Sequence, residues 1–223
     1  MNKVALITGV AGNLGKAVAA AFLAAGYQVT GTILPGEGAG LDPAIDAKAV
    51  DLTSEEATQS FINQIAQQYQ QIDVAVFTVG GFAMGDITET DLSAIHKMLK
   101  LNFDTAYNSV RATLPLMKKA KKGNITLIGA RPALDPSAGK GVVAYALSKS
   151  LIFELAAMVN AEKSGVVAQV IVPSIIDTPQ NRAGMPDANF ADWVKPEEIA
   201  QQILAGVSSS ALREPIFKMY GNA

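Results

Sequence analysis

Tyr145 and Lys149 stand four residues apart in Tyr145-Ala146-Leu147-Ser148-Lys149, which on a helix puts a phenol and an ammonium on one face. A phenol of ordinary pKa, about 10, is a poor acid-base catalyst near neutrality. A neighbouring cation favours phenolate, so the pair is expected to lower the pKa of Tyr145 and let it pass a proton to a carbonyl or imine-like acceptor. In isolation such a pair is an ordinary surface contact, and its meaning depends on its surroundings. The other chemically suggestive stretch is Thr8-Gly9-Val10-Ala11-Gly12-Asn13-Leu14-Gly15. Glycines at 9, 12 and 15 let a turn tighten, let backbone N–H groups approach a pyrophosphate, and let a following helix pack closely on its strand. The helix would add the positive end of its dipole.

Those groups need a scaffold, and the chain supplies one by alternation. Val4 to Thr8 reads as a buried strand, and Leu14, Val18, Ala21, Phe22 and Ala25 then mark one face of a helix that Gly26 ends. Further strands are expected at Gln28–Ile33, Lys48–Asp51, Asp73–Val79, Asn124–Ile128, Val166–Val172 and Pro215–Tyr220. Between them lie a helix opened by Thr53-Ser54-Glu55-Glu56, a long helix from about Thr90, and helices over Val142–Ala161 and Pro196–Gly206. The long helix is expected to bury Ile95, Leu99, Phe103, Ala106, Val110 and Met117. This pattern predicts one α/β domain over residues 1–223, a doubly wound, mainly parallel seven-stranded sheet with helices on both faces. Such a sheet places its ligand site at the carboxyl ends of the strands, where the glycine turn falls.

Composition narrows the chemistry. Net charge is −2 with no long basic run, so nothing points to nucleic acid or an anionic membrane. Lys118, Lys119, Lys121 and Lys122 read as the cationic last turn of a helix. The chain has no cysteine, and His96 is its one histidine, so thiolate catalysis and multi-histidine metal sites are excluded and no metal is expected. Hydrophobic residues make up 49% of the chain and charged ones 17%, which suits a packed globule. No secretory signal pattern precedes the first strand and no apolar run is expected to reach membrane-spanning length, so the expected location is cytoplasmic.

An NAD site usually has an acid about 20 residues beyond the glycine turn, on the adenosine ribose. Thr30-Gly31-Thr32-Ile33 stands there instead, the first acid is Glu37, and no Arg or Lys lies between Lys16 and Lys48. Without a repelling carboxylate at that point, NADP is tolerable, and the expectation leans to NADP over NAD. Asp51 and Leu52 are candidates to hold the adenine edge.

Together the glycine turn, Asp51, Asn102, Tyr145 with Lys149, and the turn at Pro173 resemble the short-chain dehydrogenase/reductase family in order and spacing, over essentially all of the chain. Within it the chain most resembles the dihydropteridine reductases. Val79-Gly80-Gly81-Phe82, Gly129-Ala130-Arg131-Pro132-Ala133-Leu134-Asp135, and Asp177-Thr178-Pro179-Gln180-Asn181-Arg182 through Met185-Pro186 to Trp193 carry that match. The resemblance implies Tyr145 as proton donor, Lys149 as its ribose-binding partner, and Asn102 as support for a water-mediated proton relay. It implies dinucleotide contacts from Gly9, Gly12, Asn13, Leu14, Gly15, Asp51, Leu52, Gly80, Tyr145, Lys149, Pro173, Ile176 and Thr178. Residues 175–195 would form a substrate-side loop. Phe82, Met84, Ile176, Met185 and Trp193 are the expected apolar walls.

The pattern also departs from the family. Where most members carry a catalytic serine this chain has Ala130, Ser174 replaces a usual glycine, and Phe77-Thr78-Val79-Gly80 keeps only the glycine of the family's turn. A missing donor aimed at developing negative charge can cost about 3 kcal/mol of barrier, and Ser137 is a candidate substitute, though Pro-Ser-Ala-Gly suits a plain turn. Three readings follow: an NAD(P)H-dependent reductase of a planar quinonoid dihydropteridine-like heterocycle, a carbonyl or quinone reductase, or a dinucleotide-binding sensor or scaffold with little turnover. Leu151, Ile152, Phe153, Leu155, Met158 and Val159 spread around one helix, which predicts a homo-oligomer, dimer or tetramer, covering its outer face.

Overall fold

All five residues of Val4–Thr8 (β1) are buried, as a strand covered on both faces requires. The structure, a computed structural model, describes residues 2–222. Met1, which opens the N-terminal segment read above, and Ala223 lie outside the described residues. Around β1 the sheet adds Gln28–Ile33 (β2), Ile45–Ala49 (β3), Val74–Phe77 (β4), Gly123–Ile128 (β5), Val166–Pro173 (β6) and Ile216–Met219 (β7). Their order is β3-β2-β1-β4-β5-β6-β7, and every pairing is parallel. Strand order reverses between β1 and β4, which opens a crevice at their carboxyl ends.

Helices cover both faces. Asn13–Ala24 (α1) and Pro196–Ser208 (α8) bury Val18, Phe22, Ile199 and Ile203 against Ile7 and Val76. Glu55–Tyr69 (α2), Thr105–Ala120 (α4) and Val143–Ala161 (α6) bury Phe61, Ile65, Val110, Met117 and Ile152 against Leu6 and Leu127. The caps follow the sequence. Ser54 Oγ accepts from Ala57 N at 3.2 Å to start α2. Gly26 ends α1 at φ 81°, with Tyr27 N donating back to Phe22 O at 3.0 Å.

Several boundaries differ from expectation. The third strand is Ile45–Ala49 rather than Lys48–Asp51, because it pairs with β2 from Val29↔Ile45 to Ile33↔Ala49 and Asp51 has already turned to bond Thr53. The fourth strand ends at Phe77, since Thr78 folds back to donate its hydroxyl to Thr8 O at 2.6 Å. The long helix is divided: Leu92–Leu99 (α3) passes through a π-helical turn, Lys100–Asp104, into α4. That turn holds an extra residue and shifts the helix phase. Met98 and Asn102 are therefore buried, while Ile95, Leu99 and Phe103 are half-buried. The segment after β6 carries the short helix Pro179–Gly184 (α7) and a 3₁₀ turn, Phe190–Asp192.

Helix α6 corrects one sequence expectation. Its 19 residues have a mean hydropathy of 1.2, enough in length and composition to cross a membrane. Ile152, Leu155, Ala156 and Val159 pack on the sheet, however, and the same face buries Ser148 and Lys149. It is the central helix of a globular core.

Candidate active site

At the crevice, Gly9 holds φ 68°, a backbone region that side-chain-bearing residues rarely adopt. Gly12 N donates to Gly9 O at 3.0 Å, closing the turn that aims α1 outward. A Cβ on Gly15 would lie 2.0 Å from Gly9 O, so the helix reaches this close only with glycine there. No side chain caps α1, and its first turn has no acid. The orphan N–H groups of that turn thus face the crevice, which is the arrangement that binds a pyrophosphate.

The crevice has a volume of about 550 Å³. Of the predicted dinucleotide contacts, Gly9, Gly12, Asn13, Leu14, Gly15, Asp51, Leu52, Gly80 and Thr178 line it together. Leu52 is buried, and the Asp51 carboxylate accepts from Thr53 N and Oγ1 at 2.9 and 2.7 Å, which holds its pKa below the usual carboxylate value. Thr178 opens α7, its hydroxyl accepting from Asn181 N at 3.2 Å. Sequence reasoning did not place Thr32, Ile33, Leu34, Glu37, Val50, Thr78, Val79, Leu101 and Thr105 on this wall. Glu37 was visible only as the first acid after β2.

Tyr145, Lys149, Pro173 and Ile176, also expected to contact the dinucleotide, are not part of that wall. Pro173 ends β6, and Ile176 bridges to Val194 with its carbonyl accepting from Asn181 Nδ2 at 2.8 Å. Ser174, in place of the family's glycine, ties the chain end: its hydroxyl donates to Tyr220 O at 2.7 Å.

Behind Gly80 lies the second half of the site. A Cβ on Gly80 would come 2.6 Å from Asn102 Oδ1 and 3.2 Å from Lys149 Nζ, so this turn runs between the two side chains. Asn102 is buried in the π turn. Its Oδ1 accepts from Gly81 N at 2.7 Å, and its Nδ2 donates to Gly81 O at 3.1 Å and Ser148 Oγ at 2.9 Å. Both amide hydrogens are thereby engaged, and the side chain clasps the turn after β4 to α6. Ser148 Oγ in turn donates to Tyr145 O at 2.8 Å. Outside this chain, Val143 N donates to Gly85 O at 3.0 Å and Gly85 N to Gly141 O at 2.8 Å. These bonds fix the β4–α3 connection on the start of α6 and seat Phe82 edge-on against Tyr145, ring centroids 5.1 Å apart at 67°.

The electrostatics depart from expectation. Lys149 is fully desolvated, and its ammonium, which donates to Ile128 O at 2.8 Å, has its pKa pushed down to about 8 by burial. Burial also pushes the Tyr145 phenol up to about 12, the opposite direction to the lowering expected from a neighbouring cation. Tyr145 is therefore held as a protonated acid at neutral pH.

One further expectation is corrected. Trp193 is buried against Phe190, ring centroids 4.8 Å apart, and forms no wall. Ser137 donates its hydroxyl to Asp135 Oδ1 at 2.6 Å in an exposed turn, the plain turn residue its Pro-Ser-Ala-Gly setting suits. Within residues 175–195, Asp177 pairs with Arg182 at 2.5 Å, and the guanidinium lies 4.7 Å from the Phe190 ring. Phe82, Met84 and Met185 remain exposed, and Ala130 is buried at the start of the short helix Arg131–Leu134 (α5).

Comparison with known proteins agrees with this geometry. Residues 3–188 match the model of the short chain dehydrogenase family. A dihydropteridine reductase of Dictyostelium discoideum is 29% identical over 72% of this chain and 70% of its own length. Dehydrogenase/reductase SDR family member 6 of Danio rerio is 32% identical over 86% of this chain and 80% of its own. Among solved structures, ElxO with NADP bound superposes with a TM-score of 0.87 at 23% identity, covering 99% of this chain and 98% of that one. A short-chain type dehydrogenase/reductase of Mycobacterium ulcerans gives 0.90 at 23% identity, covering 100% and 90%.

Proposed function

Since this chain belongs to the short-chain dehydrogenase family, as an oxidoreductase using NAD or NADP, we propose that it reduces a small planar heterocycle of the quinonoid dihydropteridine type. The observation that supports this reading is a site with one protonated phenol as donor and no serine hydroxyl beside it. Tyr145 presents its phenol beside an exposed aromatic ring, Phe82, while Ala130 has no hydroxyl to polarise a substrate. A planar ring with polarised nitrogens can lie against Phe82 and accept a proton at nitrogen. A simple ketone needs the missing donor more.

When bound, the dinucleotide supplies the hydride. The chain's own residues do the rest. The first turn of α1 would hold the pyrophosphate, Thr178 would bind the nicotinamide carboxamide, and Lys149 would bind the ribose through the hydrogens not given to Ile128 O. Tyr145 gives up its proton as negative charge develops on the substrate, and the buried Lys149 charge stabilises the phenolate left behind. Asn102 keeps the Gly80–Gly81 turn in place and supports a relay that reprotonates the phenol.

The reading is tested by following dinucleotide oxidation on a panel of a quinonoid dihydropterin, a ketone, an aldehyde and a quinone. A pterin rate exceeding the others by about tenfold or more is expected, the size of gap one well-placed polar contact makes. A faster ketone or quinone would favour carbonyl reduction, and dinucleotide binding without turnover on any of them would favour a sensor.

A cytoplasmic homo-oligomer belongs to the same reading. Leu147, Leu151 and Met158 remain exposed on the outer side of α6, an apolar strip that association would cover. Light scattering at micromolar concentration should give at least twice the monomer mass; a monomer would overturn the assignment.

A further inference from the structure

The adenosine end of the crevice contains a carboxylate that the linear spacing hides. β2 ends at Ile33, and the turn Leu34-Pro35-Gly36-Glu37 brings the chain straight back, with Glu37 N donating to Leu34 O at 3.1 Å. Gly36 permits the reversal at φ 86°. The Glu37 carboxylate thereby accepts from Leu34 N at 3.4 Å, which puts it at the carboxyl end of β2, on the wall of the crevice. An acid at that point is what hydrogen-bonds the two adenosine ribose hydroxyls of NAD.

The charge around it has one sign. Glu37 and Asp51 are the charged side chains on the crevice wall, and no Lys or Arg lines it. Lys48 is turned to Asp46 at 3.9 Å, and Lys100 helps lower the pKa of Asp51 without lining the wall. A 2′-phosphate would bring up to two negative charges against Glu37 with no guanidinium or ammonium on the wall to receive them.

From this geometry we propose that Glu37 is the specificity-determining residue for the coenzyme and that the chain selects NAD(H) over NADP(H), reversing the lean drawn from spacing alone. The proposal rests on the dinucleotide reading but is independent of the substrate.

Calorimetric titration of the whole chain with NADH and with NADPH tests it, alongside Glu37→Gln and Glu37→Ala. Glu37 is exposed in a turn, so both variants should fold. The parent protein should bind NADH at least about tenfold more tightly than NADPH at low salt, with the gap narrowing as salt screens the repulsion. Glu37→Gln should close most of that gap, chiefly by tightening NADPH, and Glu37→Ala should close it while weakening NADH. Equal or tighter binding of NADPH by the parent protein, or an unchanged ratio in Glu37→Gln, would overturn the proposal. If neither coenzyme binds, the dinucleotide reading falls and this one with it, whereas tight NADPH binding removes this one alone.

Discussion

Tyr145→Phe is expected to lower substrate-dependent oxidation of the coenzyme by about 10³-fold, within the range that a positioned general acid contributes, while coenzyme affinity changes less than about twofold. The expectation comes from the division of labour in the crevice. Phosphate binding rests on the uncapped first turn of α1, which Tyr145 does not touch, whereas the phenol's proton serves the chemical step alone. The ring would keep its edge-on contact with Phe82, so the substitution removes one oxygen and leaves the packing unchanged. Steady-state rates together with calorimetric titration separate the two effects. A variant with wild-type turnover would remove Tyr145 from the reaction, and one that lost coenzyme affinity equally would show the phenol to be a binding group.

Lys149→Met should have opposite effects on activity and stability. Turnover should fall at least about 10²-fold, since nothing would then stabilise the phenolate. Folding stability at pH 7 should rise by about 2 kcal/mol. Burial lowers the ammonium's pKa from 10.5 to about 8, a charge penalty of roughly 3 kcal/mol, and loss of the hydrogen bond to Ile128 O offsets about 1 kcal/mol of that. Below about pH 8 both folded and unfolded chains hold the proton, so the wild type bears the whole penalty. Between about 8 and 10.5 the unfolded chain binds more protons, and wild-type stability rises with pH. The advantage of Lys149→Met should therefore shrink through that window and give way above it to a deficit of about 1 kcal/mol from the lost hydrogen bond. Denaturant melts at pH 7 and pH 10 check this, and an advantage that persisted at high pH would show that burial is not its source. Wild-type reduction should likewise fall above about pH 8 as Lys149 loses its charge, since Tyr145 stays protonated to about 12. Sites that hold charge in a dry cleft trade stability for activity in this way.

Much of the site was legible because its parts are local. The glycines at 9, 12 and 15 are read from spacing, since strand, turn and helix follow one another without a break. Tyr145 and Lys149 are four apart on a helix whatever lies beyond it. Asn102 was recognisable through its place in the family pattern. Its bonds to Gly81 and Ser148 were not, because they join segments 21 and 46 residues away, and the π turn that delivers them breaks the regular period a sequence reading assumes.

The misplacements have the same origin. Trp193 looks like a pocket wall in a list of large apolar residues, and packing against Phe190 removes it from the surface. Glu37 sits too far along the chain to count as the acid at the end of β2, and a four-residue reversal brings it there.

Periodicity and turn chemistry alone were enough to determine the parallel α/β architecture, the phosphate turn and the phenol–ammonium pair, because each depends on residues close in sequence. The tertiary structure decided how acidic Tyr145 is, what Asn102 holds and that Glu37 lines the crevice. Those properties arise from desolvation and from contacts between distant segments, and both exist only once the chain has closed around them.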